Sequence, residues 1–186
     1  MKSKTFLMLL LFSLVFANFS FAKDTGKILP YKIHQTKLSN DLNIVTVPFD
    51  SPGIAAFYIV VRVGARNEVE KGVTGFAHFF EHMMFRGTDK YPKREYQAVL
   101  KSIGASANAN TSQDRTVYHM TGSAEKLELM FEIEADRFIN LNYSEHDFKT
   151  EAGAVKGEYT KNFASPYQQN FETLKNFTQR KRRNLR

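Results

Sequence analysis

The stretch His78-Phe79-Phe80-Glu81-His82 constrains this chain more than any other, because imidazoles four residues apart stand one above the other on a helix face. Apolar Phe79, Phe80, Met83 and Met84 favour a helix from about Thr74 to Arg86, and Gly87 is placed to end it. On that face His78 and His82 can chelate one ion. Zinc accepts neutral imidazole nitrogens, tolerates a carboxylate as third ligand and, in catalytic sites, leaves a fourth position open for water. Glu81 projects beside such a water, where a carboxylate can take the proton once the ion has lowered its pKa to roughly 7. Taken alone, the same residues also suit ordinary helix-surface or core histidines.

A second segment narrows the choice. Glu151-Ala152-Gly153-Ala154-Val155-Lys156-Gly157-Glu158 reads as part of a helix with a small-residue surface. Its two glutamates, seven residues apart, fall on nearly the same face, two turns from each other. Packed closely on the His-bearing helix, it would deliver one carboxylate oxygen to the ion. By itself such a segment is also an ordinary solvated helix face.

With these residues the chain resembles the pitrilysin and insulinase family, which includes the mitochondrial processing peptidase: the inverzincins, named for His-x-x-Glu-His. The resemblance implies that His78, His82 and Glu158 ligate one zinc ion. It further implies that Glu81 is the catalytic base and that Glu151 supports the site from behind. Other stretches agree. Leu38-Ser39-Asn40-Asp41-Leu42 resembles the family's first hairpin turn, with Asp where Gly is usual, and Gly64-Ala65-Arg66-Asn67-Glu68 resembles the strand end before the catalytic helix. Asn108-Ala109-Asn110-Thr111-Ser112 followed by Thr116-Val117-Tyr118 resembles the active-site edge strand. Asn108, Ala109 and Asn110 would there bind an extended peptide through backbone hydrogen bonds. The match runs from about Tyr31 to about Leu174.

Periodicity supports an α+β fold with a mixed or antiparallel sheet packed with helices, and the resemblance implies that it is of the metallohydrolase type. A hairpin is expected near Ile33 to Val47 and a strand from Ala55 to Val63. Tyr96, Val99, Leu100 and Ile103 recur at helical spacing before Gly104, and edge strands run through Thr121. A helix from Ala124 to Leu141 would turn Leu127, Met130, Phe131 and Phe138 inward, and Phe79, Phe80 and Phe85 read as core.

Residues 1–22 read as a secretory signal, with Lys2 and Lys4, an apolar run from Phe6 to Phe16, and a cut expected before Lys23. That run is short for a bilayer crossing of about 20 residues. An exported protein, periplasmic or secreted, without a stable membrane span after cleavage, is the expectation. The absence of cysteine excludes a disulfide framework and a cysteinyl metal site.

The net charge of +7 suggests nucleic acid at first sight, but its distribution argues otherwise. Lys2 and Lys4 account for two of those charges, and Arg180, Lys181, Arg182, Arg183 and Arg186 for the other five. Residues 23–178 are therefore neutral, and no nucleic-acid partner is expected. The organisation read here is a leader over 1–22, an incomplete N-terminal zinc peptidase domain over 23–178, and an irregular basic tail over 179–186.

The resemblance implies a further domain that supplies an Arg and a Tyr toward the substrate, and the abrupt change near Lys175 reads as a truncated or frameshifted continuation. Three functions follow. One is a zinc-dependent endopeptidase acting on peptides or small proteins, alone or completed by a second peptidase-family subunit or domain. Another is a non-catalytic fragment that acts as an assembly or binding partner. The last is a surface-binding module using the basic tail.

Overall fold

A computed structural model of the chain describes residues 30–70 and 74–183. The expected leader and residues 184–186 of the tail lie outside the described residues. The chain divides into two units, one ending at Asp50 and the other beginning at Ser51.

In the first unit, β1 (His34–Lys37) and β2 (Asn43–Thr46) form an antiparallel hairpin in the register His34↔Thr46 to Lys37↔Asn43. Asp41 stands in its turn at φ 67, the left-handed region that explains why glycine is common at such a position. An ion pair of 2.6 Å between Lys37 and Asp41 spans the turn, although both side chains are well exposed and contribute little.

The second unit is built on a three-stranded antiparallel sheet in the order β3-β5-β4, with β3 at Ile54–Val61, β4 at Ser106–Thr111 and β5 at Thr116–Ser123. Residues of β3 alternate between exposed and half-buried, as a strand with one wet face requires. Central β5 buries Val117, Tyr118 and Met120. Five α-helices are described: α1 (Phe76–Met83), α2 (Lys93–Ser102), α3 (Leu127–Asn140), α4 (Glu145–Phe163) and α5 (Pro166–Arg183). Gly104, at φ 63, ends α2 where the sequence places the stop. Tyr96 and Leu100 of α2 meet Met120 of β5 and Met130 and Ile133 of α3 in one buried cluster, which is the core.

The inward face of α3 shares Met130 with the expected one and otherwise differs from it. Met130, Ile133, Glu134 and Arg137 are buried, whereas Phe131 and Phe138 are exposed and Leu127 is only half-buried. The buried set keeps helical spacing but includes charge, which a search for apolar residues passes over. Arg137 pairs with Glu134, and the Tyr96 hydroxyl donates to Glu134 at 3.0 Å. The guanidinium lies 4.6 Å from the Phe85 ring centroid and 5.2 Å from that of Tyr118. Paired, hydrogen-bonded and faced by aromatic rings, the two charges tolerate burial; loss of one partner from such a pair costs about 3–5 kcal/mol.

Of the phenylalanines near the motif, Phe85 packs against the core, whereas Phe79 and Phe80 lie outside it. Phe80 is exposed, Phe79 and Phe85 are half-buried, and methionines Met83 and Met84 fill the interior beside them. Unbranched Met adapts to the irregular space between helix and sheet. The α5 helix continues through Arg183, into the segment expected to be irregular. Among the described residues no helix is long and apolar enough to cross a membrane.

Truncation of the fully buried Met130 to Ala should lower unfolding stability by about 2–5 kcal/mol, while Ile139→Ala, at an exposed site on the same helix, should cost well under about 1 kcal/mol. Urea denaturation of both variants checks which face of α3 is inside; similar losses would contradict the placement.

Candidate metal centre

Helix α1 is fixed at both ends by charged side chains outside it. At its start, the Glu68 carboxylate accepts from the backbone N–H of Gly75 at 2.6 Å and of Ala77 at 2.8 Å. A carboxylate there satisfies donors that the helix leaves free and complements the positive end of its dipole. Glu68 in turn follows a short turn, Ala65–Asn67, that hangs on the β4–β5 connection through Ala65 N–H to Ser112 O (3.0 Å) and Arg66 N–H to Gln113 O (2.8 Å). Gly64 sits so close to the backbone of Ser112, Gln113 and Arg115 that any side chain there would collide with it.

At the other end, Arg86 reaches α4. Its guanidinium donates to Asp147 Oδ1 at 2.9 Å and meets Glu151 Oε1 at 2.5 Å. Helix α4 is itself capped by Ser144, whose hydroxyl accepts from the Asp147 N–H at 3.1 Å and donates to the Asp147 carboxylate at 2.7 Å. Those Ser144 hydrogen bonds, and then Arg86, hold the Asp147 carboxyl below its ordinary value. Asp147, Glu151 and Glu158 lie along one side of α4, so the helix presents a row of carboxylates to α1.

The meeting of these helices brings together His78, His82 and Glu158. The Nε2 atoms of the two imidazoles are 3.3 Å apart, and Glu158 Oε2 lies 3.5 Å from His78 Nε2 and 3.7 Å from His82 Nε2. Ligand bonds of about 2.0–2.2 Å place neighbouring atoms of a tetrahedral zinc site about 3.3–3.6 Å apart. The three atoms thus suit three corners of such a site, and two nitrogens with a carboxylate oxygen are chemically right for zinc. The pocket is open, with Glu158 49% exposed.

Behind this face, Glu151 Oε2 lies 3.1 Å from His82 Nδ1. An Nδ1–H donated to that oxygen leaves Nε2 as the free lone pair on the side of Glu158. Gly153 and Gly157 have open space where a side chain would be, so contact between α4 and α1 is made by long polar side chains and not by the small-residue surface expected from the sequence. An edge-on contact of Phe79 with Phe148, centroids 4.7 Å apart, supplies the apolar part.

Glu81, next to His82 in α1, is buried and accepts a 2.5 Å hydrogen bond from Thr111 Oγ1 on β4. Beside it, burial pushes the Tyr118 phenol up to about 12; Arg137 opposes that rise, and the Glu81 and Glu134 charges add to it. Tyr118 is therefore neutral at ordinary pH.

Asn108, Ala109 and Asn110 lie on β4, which is one of the two edge strands of the sheet among the described residues. Ser112 N–H donates to Arg115 O, so pairs counted from that closure alternate, and the backbone groups of Asn108 and Asn110 are used by β5. Those of Ala107, Ala109 and Thr111 face the free edge. Of the three residues expected to bind a peptide through the backbone, only Ala109 has that orientation, and its N–H already donates to the Asn108 side-chain oxygen at 2.9 Å. Glu68, Arg86 and Thr111 were not singled out from the sequence, because each acts through a partner in another element.

The family model described as Insulinase (Peptidase family M16) matches residues 49–184. "Zinc protease PqqE" of Helicobacter pylori is 33% identical over 128 residues, covering 68% of this chain and 29% of that protein. "Mitochondrial-processing peptidase subunit beta" of Caenorhabditis elegans is 34% identical over 101 residues, 54% of this chain and 22% of that one. Among solved structures, a protease from Helicobacter pylori superposes with a TM-score of 0.67 at 32% identity, covering 71% of this chain and 32% of its own. This chain belongs to the Insulinase family, Peptidase family M16. It spans under a third of the length of these relatives.

Replacing Glu68 by Ala removes both hydrogen bonds at the start of α1 and should lower stability by about 1–2 kcal/mol. Thermal and urea unfolding of Glu68→Ala against the parent check this; no loss would show that α1 does not depend on the cap.

Proposed function

We propose that this chain carries the metal-binding part of a zinc-dependent endopeptidase, with His78, His82 and Glu158 as ligands and Glu81 as general base. The observation that carries the reading is the convergence of two imidazole nitrogens and one carboxylate oxygen at separations of 3.3, 3.5 and 3.7 Å. Membership of a peptidase family and its zinc-protease relatives support it.

When bound, zinc supplies Lewis acidity toward a peptide carbonyl and lowers the pKa of a water to roughly 7. His82 is oriented by Glu151 so that its Nε2 lone pair is available. Glu81 has one carboxylate oxygen held by Thr111, which leaves Oε1 to take a proton from the attacking water and return it to the leaving amine. The free edge of β4 runs up to Thr111, so an extended peptide pairing along Ala107 and Ala109 would be led toward Glu81. Backbone pairing of this kind tolerates varied side chains, which suits a peptide or small-protein substrate.

Because the chain spans under a third of its relatives, we place completion of the substrate site in a second peptidase-family subunit or domain. Export, to the periplasm or beyond, is part of the same proposal and rests on residues 1–22. The mass of the chain recovered from an exporting host should correspond to a start at Lys23; an intact Met1 would contradict cleavage.

Glu81→Gln should abolish peptide hydrolysis while leaving bound zinc unchanged, whereas His78→Ala, His82→Ala and Glu158→Ala should each lose zinc. Hydrolysis of a quenched peptide mixture, with and without a candidate partner subunit, is read beside metal content. Unchanged turnover in Glu81→Gln would remove the mechanism, and retained zinc in all three ligand variants would remove the site.

A further inference from the structure

Arg86 lies just beyond α1, with its N–H bonded to Met83 O at 2.9 Å, and its side chain is only 12% exposed. It is the one cation that touches both carboxylates at the start of the α4 row, Asp147 through one terminal nitrogen and Glu151 through the other, among the described residues. Lys93 approaches Glu151 no closer than 4.0 Å and is 55% exposed, so it is a poor substitute. A guanidinium can hold two acceptors at fixed angles, which the single ammonium of a lysine cannot.

The contact has a directional consequence. Arg86 occupies Oε1 of Glu151, and the other oxygen, Oε2, is thereby turned to His82 Nδ1 at 3.1 Å. Were Oε1 free, the carboxylate could rotate, and His82 could present Nδ1 or a tilted ring instead of Nε2 to the side on which Glu158 and His78 stand. We infer that Arg86 is a positioning residue for the metal centre: it orients Glu151, which fixes the tautomer and ring of His82. The contact to Asp147 has a different effect, because Asp147 touches neither histidine; it fastens the first turn of α4.

This inference rests on the metal reading above, and the experiment separates the two. Zinc affinity of the full chain is measured by competition with a chromophoric chelator for the parent, Arg86→Gln, Arg86→Lys, Glu151→Gln, Asp147→Asn and the double variant Arg86→Gln/Glu151→Gln. Circular dichroism and thermal unfolding accompany each. Arg86→Gln should weaken zinc about 10- to 100-fold, as loss of a partner that orients a ligand does. Glu151→Gln should do the same, and the double variant should be no weaker than the weaker single one, because Arg86 acts through Glu151.

Asp147→Asn should lower the unfolding temperature yet leave zinc affinity within about two-fold, which a merely structural role for Arg86 would not allow. Arg86→Lys, which retains charge without the fork, should keep the fold and still lose affinity, so the test stands even if Arg86→Gln fails to fold. Parent-like affinity in the folded Arg86 variants, or losses that multiply in the double variant, would overturn the inference. If instead His82→Ala binds zinc as the parent does, it is the metal reading that fails.

Discussion

Two carboxylates on α4, seven residues apart, meet two imidazoles on α1, four residues apart, and the rest of the second unit serves that meeting. Helix α1 is anchored on the interior through Met83 and Met84, but α4 is not placed by an apolar seam. Helix α4 has no fully buried residue; Glu151 and Glu158 meet α1, Asp147 meets Arg86 just beyond it, and the Phe79–Phe148 pair lies beside them. Such an interface is geometrically demanding, since charge pairs reward one arrangement and penalise its neighbours. It is also weak for its size, because exposed ion pairs contribute little and buried ones are offset by desolvation. An ion bound at the junction would therefore add to the docking of α4 as well as to chemistry.

The sheet contributes through one residue. Thr111, at the last position of β4, reaches Glu81, and the same strand carries the free backbone edge. The backbone edge that would position a peptide and the hydroxyl that orients Glu81 thus lie on one short element. Its placement depends on Gly64 letting the chain pass close to the β4–β5 connection, and on Glu68 starting α1 a few residues later.

Local chemistry was legible in the sequence and distant chemistry was not. His78, Glu81 and His82 declare themselves because their geometry is set by one helix, and Asp41 and Gly104 because turn and stop residues act where they stand. Glu151 and Glu158 were legible as a pair through their spacing and the family resemblance, not through any sign of what they face. Arg86 and Thr111 were missed because their partners lie 61 and 30 residues away. A signal was available for α3: Glu134 and Arg137, three apart and in register with Met130 and Ile133, complete the buried face once a charge pair is allowed inside. Reading apolar residues alone places Leu127, Met130, Phe131 and Phe138 on that face, of which only Met130 is fully buried.

The account depends most directly on whether the three donor atoms hold zinc in the folded chain. Elemental analysis of purified residues 23–186, after removal of loosely bound metal, with zinc-edge X-ray absorption on the same sample, decides it. The account predicts about one zinc per chain, with two imidazole nitrogens and a carboxylate oxygen among its neighbours, lost on replacing His82 by Ala. A soluble chain with native-like circular dichroism and almost no zinc would contradict it.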